Sequence, residues 1–212
     1  MTYKLSALAL GIGVMFGAGS ALADTAVMSQ TGNWNDSTIE QYDNNGAYAS
    51  ITVNGFNNDA VVLQQDVNNA NAVITQTANS GDASIDQSGT SNWFYTTRGN
   101  NHSATLNQLW GWDNTGVIRQ RGDNVTAFMN QGGVDNDATI LQKGGGYGLV
   151  MATVNQAGSH NDAVVNQDGR HLTATINQWG KKNDATILQT KSGHIATLTQ
   201  VGAHNTGLII QR

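Results

Sequence analysis

The chain has 212 residues, 10 of them basic and 15 acidic, with no cysteine and no proline. The formal charge of −5 leaves no basic stripe for phosphate and excludes an ordinary nucleic-acid binder. The missing thiols exclude disulfides and thiolate metal sites, and the missing proline leaves every backbone N–H able to join a ladder.

Residues 1–23 have the form of a signal peptide. Lys4 gives the positive start, Leu5 to Gly19 the apolar stretch, and Ala21-Leu22-Ala23 the small-x-small cleavage site. The apolar stretch is too short to cross a membrane and no comparable run follows. An exported mature chain beginning at Asp24, with no membrane span, is expected. Losing Lys4 takes its formal charge to −6.

From Asp24 onward one short pattern recurs sixteen times: a small residue, any residue, an aliphatic, any residue and an anchor that is glutamine in all units but one. The glutamine anchors are Gln30, Gln41, Gln64, Gln76, Gln87, Gln108, Gln120, Gln131, Gln142, Gln156, Gln167, Gln178, Gln189, Gln200 and Gln211; Val53 takes the place of a glutamine in the third unit. The usual spacing is eleven residues. Alternation with period two puts the small residue, the aliphatic and the anchor on one face of a strand, whereas a helix would scatter them.

Even-numbered units open with asparagine six residues before the anchor, at Asn35, Asn58, Asn114, Asn136, Asn161, Asn183 and Asn205, with Gly81 the exception. Odd-numbered units do not. The structural unit is therefore a strand–turn–strand pair of about 22 residues, repeated eight times. Glycine two residues after many anchors, as at Gly32, Gly122, Gly144 and Gly158, marks turns that need positive φ. Residues 88–101, with Trp93-Phe94-Tyr95, form an expanded turn, and Lys143 to Gly148 a smaller one. The frame resumes beyond both, so residues 24–212 are expected to be one repeat domain.

These observations predict an all-β solenoid of about eight two-strand coils, with two facing parallel in-register sheets and a length of about 40 Å. Glutamine and asparagine share strand parity with alanine and isoleucine, so they are expected inside, as ladders in which each amide bonds the one a rung away. One buried aliphatic contributes about 1.5–3 kcal/mol, against at least about 1 kcal/mol per ordered residue in backbone entropy. A lone unit cannot fold, and stability must come from the coils above and below. The repeat starts almost at Asp24 and runs to Gln211 without a polar cap, so both end faces are expected to template further chains.

The repeat resembles that of the curlin family, Ser-x5-Gln-x-Gly-x-x-Asn-x-Ala-x3-Gln. Gln156-x-Gly158-x-x-Asn161-x-Ala163-x3-Gln167 fits it, as do the stretches from Gln178 to Gln189 and from Gln131 to Gln142. The resemblance implies a secreted subunit of curli, the adhesive amyloid fibres of the biofilm matrix at the surface of Gram-negative bacteria. It implies self-association, a nucleating subunit and an outer-membrane secretion channel as partners. A major fibre subunit is the first expectation and a minor nucleator the alternative. The family's leading serine is replaced here by Val, Leu or His.

No catalytic or cofactor-binding constellation is present. His160, His171 and His204 follow anchors by four residues and read as solvated turn residues, and His102 and His194 open odd strands; a metal row is the competing reading. Asp36, Asp59, Asp82, Asp137, Asp162 and Asp184 precede the small residue of even strands. They read as a solvated face, as gatekeepers against premature assembly, or as a calcium row. Outward Thr105, Thr139, Thr153, Thr175, Thr186 and Thr197 leave a monomeric ice- or surface-binding solenoid as the reading from another class. Outward Leu141, Leu188 and Ile210 suit lateral bundling or stray exposure.

Overall fold

The computed structural model describes residues 24–92, 95–97 and 99–212, so the signal-peptide segment and Trp93-Phe94 lie outside the described residues. Coil 1 joins β1 (Thr25–Asn33) to β2 (Asp36–Tyr42), and coil 2 joins β3 (Tyr48–Phe56) to β4 (Asp59–Gln65). After the short β5 (Val67–Asn68), coil 3 joins β6 (Asn71–Gln76) to β7 (Asp82–Ser88). Three short strands follow: β8 (Thr90–Asn92), β9 (Tyr95–Thr97) and β10 (Gly99–Asn100). Coil 4 comprises β11 (Ser103–Trp112) and β12 (Thr115–Arg121), and coil 5 β13 (Val125–Val134) and β14 (Asp137–Gly144). Coil 6 comprises β15 (Val150–Ser159) and β16 (Asp162–Arg170), coil 7 β17 (Leu172–Lys181) and β18 (Asp184–Ser192), and coil 8 β19 (Ile195–Ala203) and β20 (Thr206–Gln211).

The first strand of every coil lies in one eight-stranded sheet and the second strand in another. All neighbours within each sheet are parallel with anchor against anchor, from Gln30 opposite Val53 to Gln189 opposite Gln211, and one bulge at Leu109 shifts β11 against β13 beyond the anchor. The chain is thus an all-β solenoid of eight coils, as its period-two pattern predicts. Among the described residues there is no helix. The stretch at 88–101 holds a small antiparallel hairpin of β8 and β9, while β10 runs parallel to β5.

A single apolar core fills the space between the sheets, built from stacked alanines and central aliphatics such as Ala72, Ile74, Ile118, Ile140 and Ile176. Alanine lets the sheets close on one another while the aliphatic opposite fills the gap, and parallel stacking repeats that fit in each coil. The two arcs that link the sheets differ in chemistry. One is stitched by the asparagines that open even strands. Inside the other, the odd openings Ala47 and Ala70 cluster with Val67 of β5, and the odd openings Val125, Val150 and Leu172 form a second apolar cluster, while Asp24, His102 and His194 hold the remaining openings. At Val125, Val150 and Leu172 van der Waals contact holds successive coils together.

Turn chemistry goes beyond the glycine pattern. Gly133, Gly158 and Gly180 do adopt positive φ, at 120°, 125° and 126°, and a Cβ on Gly133 or Gly158 would strike the carbonyl of the glycine one coil on. Gly144 is not among the positive-φ residues; there a Cβ would strike the carbonyl of Asp123. Close approach, not φ, requires that glycine. A second left-handed position was not evident from glycine spacing. Asn57, Asp135, His160, His171, Lys182 and His204 all have φ between 52° and 59°. Asn, Asp and His tolerate this region better than most side chains.

Candidate assembly interface

In the second sheet an unbroken amide ladder runs the length of the solenoid. Gln41 Nε2 donates to Gln64 Oε1 (2.7 Å), Gln64 to Gln87 (2.8 Å), Gln87 to Gln120 (2.9 Å) and Gln120 to Gln142 (3.0 Å). Gln142, Gln167 and Gln189 continue it to Gln211. In the first sheet Gln76, Gln108, Gln131, Gln156, Gln178 and Gln200 form a second ladder in the same direction. Every donor lies one coil before its acceptor.

Each amide also uses its other proton. Gln131 Nε2 donates to the carbonyl of Thr115 (2.8 Å), Gln178 to that of Asp162 (2.8 Å) and Gln189 to that of Thr173 (3.0 Å), each on the facing strand. The glutamines therefore bond along the stack and clamp the two sheets together. Only the first role follows from strand parity. The second depends on the anchor standing at the arc, where a facing strand begins.

The first-sheet ladder does not reach coil 1. Val53 stands between Gln30 and Gln76, and Gln76 Oε1 is buried without a partner. An unpaired buried amide oxygen costs about 1–3 kcal/mol, and a valine one rung earlier leaves it no donor.

The asparagines make a ladder of opposite polarity. Asn58 Nδ2 donates back to Asn35 Oδ1 (3.1 Å), and Asn136, Asn161, Asn183 and Asn205 donate in turn to Asn114, Asn136, Asn161 and Asn183. Backbone N–H groups join the same oxygens, as at Asn161 N to Asn136 Oδ1 (3.2 Å). The ladder breaks at Gly81, whose backbone N–H alone donates to Asn58 Oδ1 (2.9 Å). A further asparagine column lies on the outer face of the first sheet: Asn107 donates to Asn130, Asn130 to Asn155 and Asn155 to Asn177. Its signal in the sequence is an Asn-Gln pair at four successive odd anchors.

Asp36, Asp59 and Asp82 stack in register, as do Asp137, Asp162 and Asp184, and Thr115 separates the two triplets. All six are exposed. Partial burial and then the charges of Asp59 and Asp113 hold the Asp82 carboxyl above the usual carboxylate range. Asp162 is raised by burial and then by Asp184 and Asp137.

The histidines do not come together. His160 pairs with Asp135 across 3.3 Å in a solvated turn, and His171 and His204 are exposed. His102, at an odd opening, is fully buried with Nε2 against the Gly122 carbonyl at 2.6 Å. Burial lowers its pKa and outweighs the Gly122 bond and the Asp123 charge, so it stays neutral. No group of three or more His, Asp or Glu side chains that could hold a metal ion occurs among the described residues.

Inner coils bury their core positions fully, but in coils 1 and 8 the central aliphatics Met28, Ile39, Leu198 and Ile209 are half-buried. Nothing among the described residues covers either face. The faces are chemically opposite. At coil 8, Gln200 and Gln211 each donate one proton, to the carbonyls of Asp184 (2.8 Å) and Ile195 (3.2 Å), and keep the other. At coil 1, the amide carbonyls of Gln30 and Gln41 receive no proton among the described residues. One face offers amide donors and the other acceptors, at matching positions in both sheets.

A family model described as the curlin associated repeat matches residues 111–144, 151–180 and 172–202. No curated protein and no solved structure matches the chain.

Proposed function

The chain belongs to the curlin-repeat family, and on that premise we propose that it is a major structural subunit of extracellular curli-type amyloid fibres. The mature chain, 24–212 after loss of the signal peptide 1–23, polymerises end to end. Its partners in that role are further copies of itself, with a nucleating subunit and an outer-membrane secretion channel implied by the family. The fibres serve adhesion and biofilm matrix at a Gram-negative cell surface.

One observation carries this reading: the donor face of coil 8 complements the acceptor face of coil 1. Docking them carries the second-sheet glutamine ladder into the next copy and extends the first-sheet ladder by one rung to Gln30, both with unchanged polarity, and Asn205 Oδ1 receives the backbone N–H of Asn35 from the next copy. Because the contact uses different surfaces on the two partners, it does not close on itself and generates an open filament. Coil 8 keeps the full register of the inner coils, which suits a subunit that is added repeatedly. The exposed Asp column then keeps newly secreted chains apart by like-charge repulsion until a growing end captures them.

The test follows the purified mature chain with an amyloid dye and fibre diffraction. Dye-positive fibres with a meridional reflection near the ~4.8 Å strand spacing are expected. A chain that stays monomeric and dye-negative at high concentration would overturn the reading in favour of a soluble surface-binding solenoid.

A further inference from the structure

The eight coils are not eight equivalent repeats. The central aliphatics of the second sheet read Ile39, Val62, Ile85, Ile118 and then Ile140, Val165, Ile187, Ile209, the same order twice. The column before the small residue reads three aspartates and Thr115, then three aspartates and Thr206. Coils 4 and 8 alone carry glycine at the small position (Gly116, Gly207), leucine at the first-sheet centre (Leu106, Leu198) and histidine at the odd opening (His102, His194). Coils 1 and 5 alone carry methionine at that centre (Met28, Met129). The halves depart where Ile51 answers to Val154, Ser37 to Ala138, Val53 to Gln156 and Gly81 to Asn183, and at the odd openings, where Asp24, Ala47 and Ala70 answer to Val125, Val150 and Leu172.

We infer that the chain is a tandem pair of four-coil modules, and that the internal contact of coil 4 with coil 5 is the template for the contact of coil 8 with coil 1 of the next copy. This inference rests on the end-to-end reading above and gives it a register and a lock.

The internal contact shows what the lock is. A Cβ on Gly116 would lie 2.9 Å from Leu106 Cδ1, 3.0 Å from Met129 Sδ and 3.0 Å from Gln131 Oε1. The glycine is a hole filled from its own coil by leucine and from the next coil by methionine. Gly207 has the same hole with half its filling. A Cβ there would meet Leu198 Cδ1 at 2.7 Å and Gln200 Nε2 at 3.2 Å, all within coil 8. The missing half is a methionine sulfur and an amide oxygen, which Met28 and Gln30 of the second copy carry at the equivalent positions. Met28 is half-buried and Gln30 lacks a donor, so both are available. In this register Thr206 falls between Asp184 and the next copy's Asp36, as Thr115 falls between Asp82 and Asp137. The junction therefore never sets four carboxylates in a row.

The absence of native cysteine allows a direct test in the full mature chain. Thr197 and Val27 lie on outer faces at opposite ends of the monomer, and the template pairs them one rung apart, as Thr105 pairs with Phe128. Strand spacing of about 4.8 Å falls within the Cα separation a disulfide accepts. The Thr197→Cys/Val27→Cys chain, polymerised and then oxidised, should give a ladder of covalent oligomers on a non-reducing gel. Thr197→Cys/Thr38→Cys, which tests the first sheet stacked on the second, should give none. The lock is tested by elongation from wild-type seeds. Gly207→Ala should slow it about tenfold by overfilling the hole, and Met28→Ala in the same chain should restore most of the rate. Fibres that form without the Thr197–Val27 ladder, or a Gly207→Ala defect that Met28→Ala leaves unchanged, would overturn the inference while the fibre reading stands. A wild-type chain that forms no fibres overturns both.

Discussion

At the scale of single residues, each anchor glutamine is placed by a conflict that its amide resolves. A buried amide is tolerated only when fully bonded, and here one proton goes along the stack and the other across to the facing strand. Strand parity showed that the glutamines are internal. The cross-sheet bond was not legible, because it depends on which backbone carbonyl the arc brings within reach. The exception tests the account. Val53→Gln would give Gln76 Oε1 its donor and join Gln30 to the ladder, in a site that holds glutamine in the other seven first-sheet strands. The variant should gain about 1–2 kcal/mol, read as a higher urea midpoint of freshly prepared monomer. No gain would mean that Gln76 already finds a bond in solution. His102 shows the opposite limit of legibility. Its position at an odd opening was visible in the sequence, but its burial follows from the apolar filling of that arc, which only the three-dimensional stack defines.

At the scale of strands and turns, the coil depends on tight corners and on columns of like residues. The strand register was legible because every unit repeats the same offsets. The left-handed corner at His160 was not, since tryptophan, asparagine, serine, aspartate, lysine and histidine all occupy its equivalents and share no simple pattern. His160→Val puts a β-branched side chain at φ near 55° and should cost about 1–3 kcal/mol, whereas His160→Gly should be tolerated; equal effects would assign the loss to the Asp135 contact instead. The aspartate column gives a pH dependence of definite sign. Asp82 and Asp162 are raised in the fold above the ordinary value of 3.8, so the folded chain holds their protons more tightly than the unfolded one. Their contribution to stability is complete below that ordinary value and is lost as pH rises through the raised values. His102 acts in the other sense: its pKa is lowered, and its contribution is lost as pH falls through the lowered value. The Asp82→Asn/Asp162→Asn chain should therefore unfold at higher urea than wild type at neutral pH and lose that advantage near pH 4. An advantage of the same size at both pH values would sink the argument from the raised carboxyls.

At the scale of the whole molecule, the stack is polar. Both glutamine ladders donate toward coil 8, the second-sheet one from Gln41 and the first-sheet one from Gln76, and the asparagine ladder donates the other way, so the two end faces are complementary rather than alike. The repeat made the exposed faces legible; the polarity was not, because either direction of donation satisfies the same sequence. Polarity can be tested at one atom. Gln211 accepts from Gln189 inside the chain (2.7 Å), and in the proposed junction its amide supplies a proton for the next copy's Gln41 carbonyl. Gln211→Glu keeps that internal acceptor but removes the donated proton, setting a carboxylate against a carbonyl oxygen at the junction. The monomer should unfold within about 1 kcal/mol of wild type, since only the bond to Ile195 is lost inside it. Elongation from wild-type seeds at neutral pH should slow at least about tenfold, because an unpaired charge is being buried. Acidification to about pH 4 protonates the glutamate, returns a donor to the same place and should restore elongation. Thr190→Glu, which adds a charge to the neighbouring strand outside the core, should leave the neutral rate near wild type. If Thr190→Glu slows growth as much as Gln211→Glu, then net charge controls assembly and the donor–acceptor match of the two faces does not.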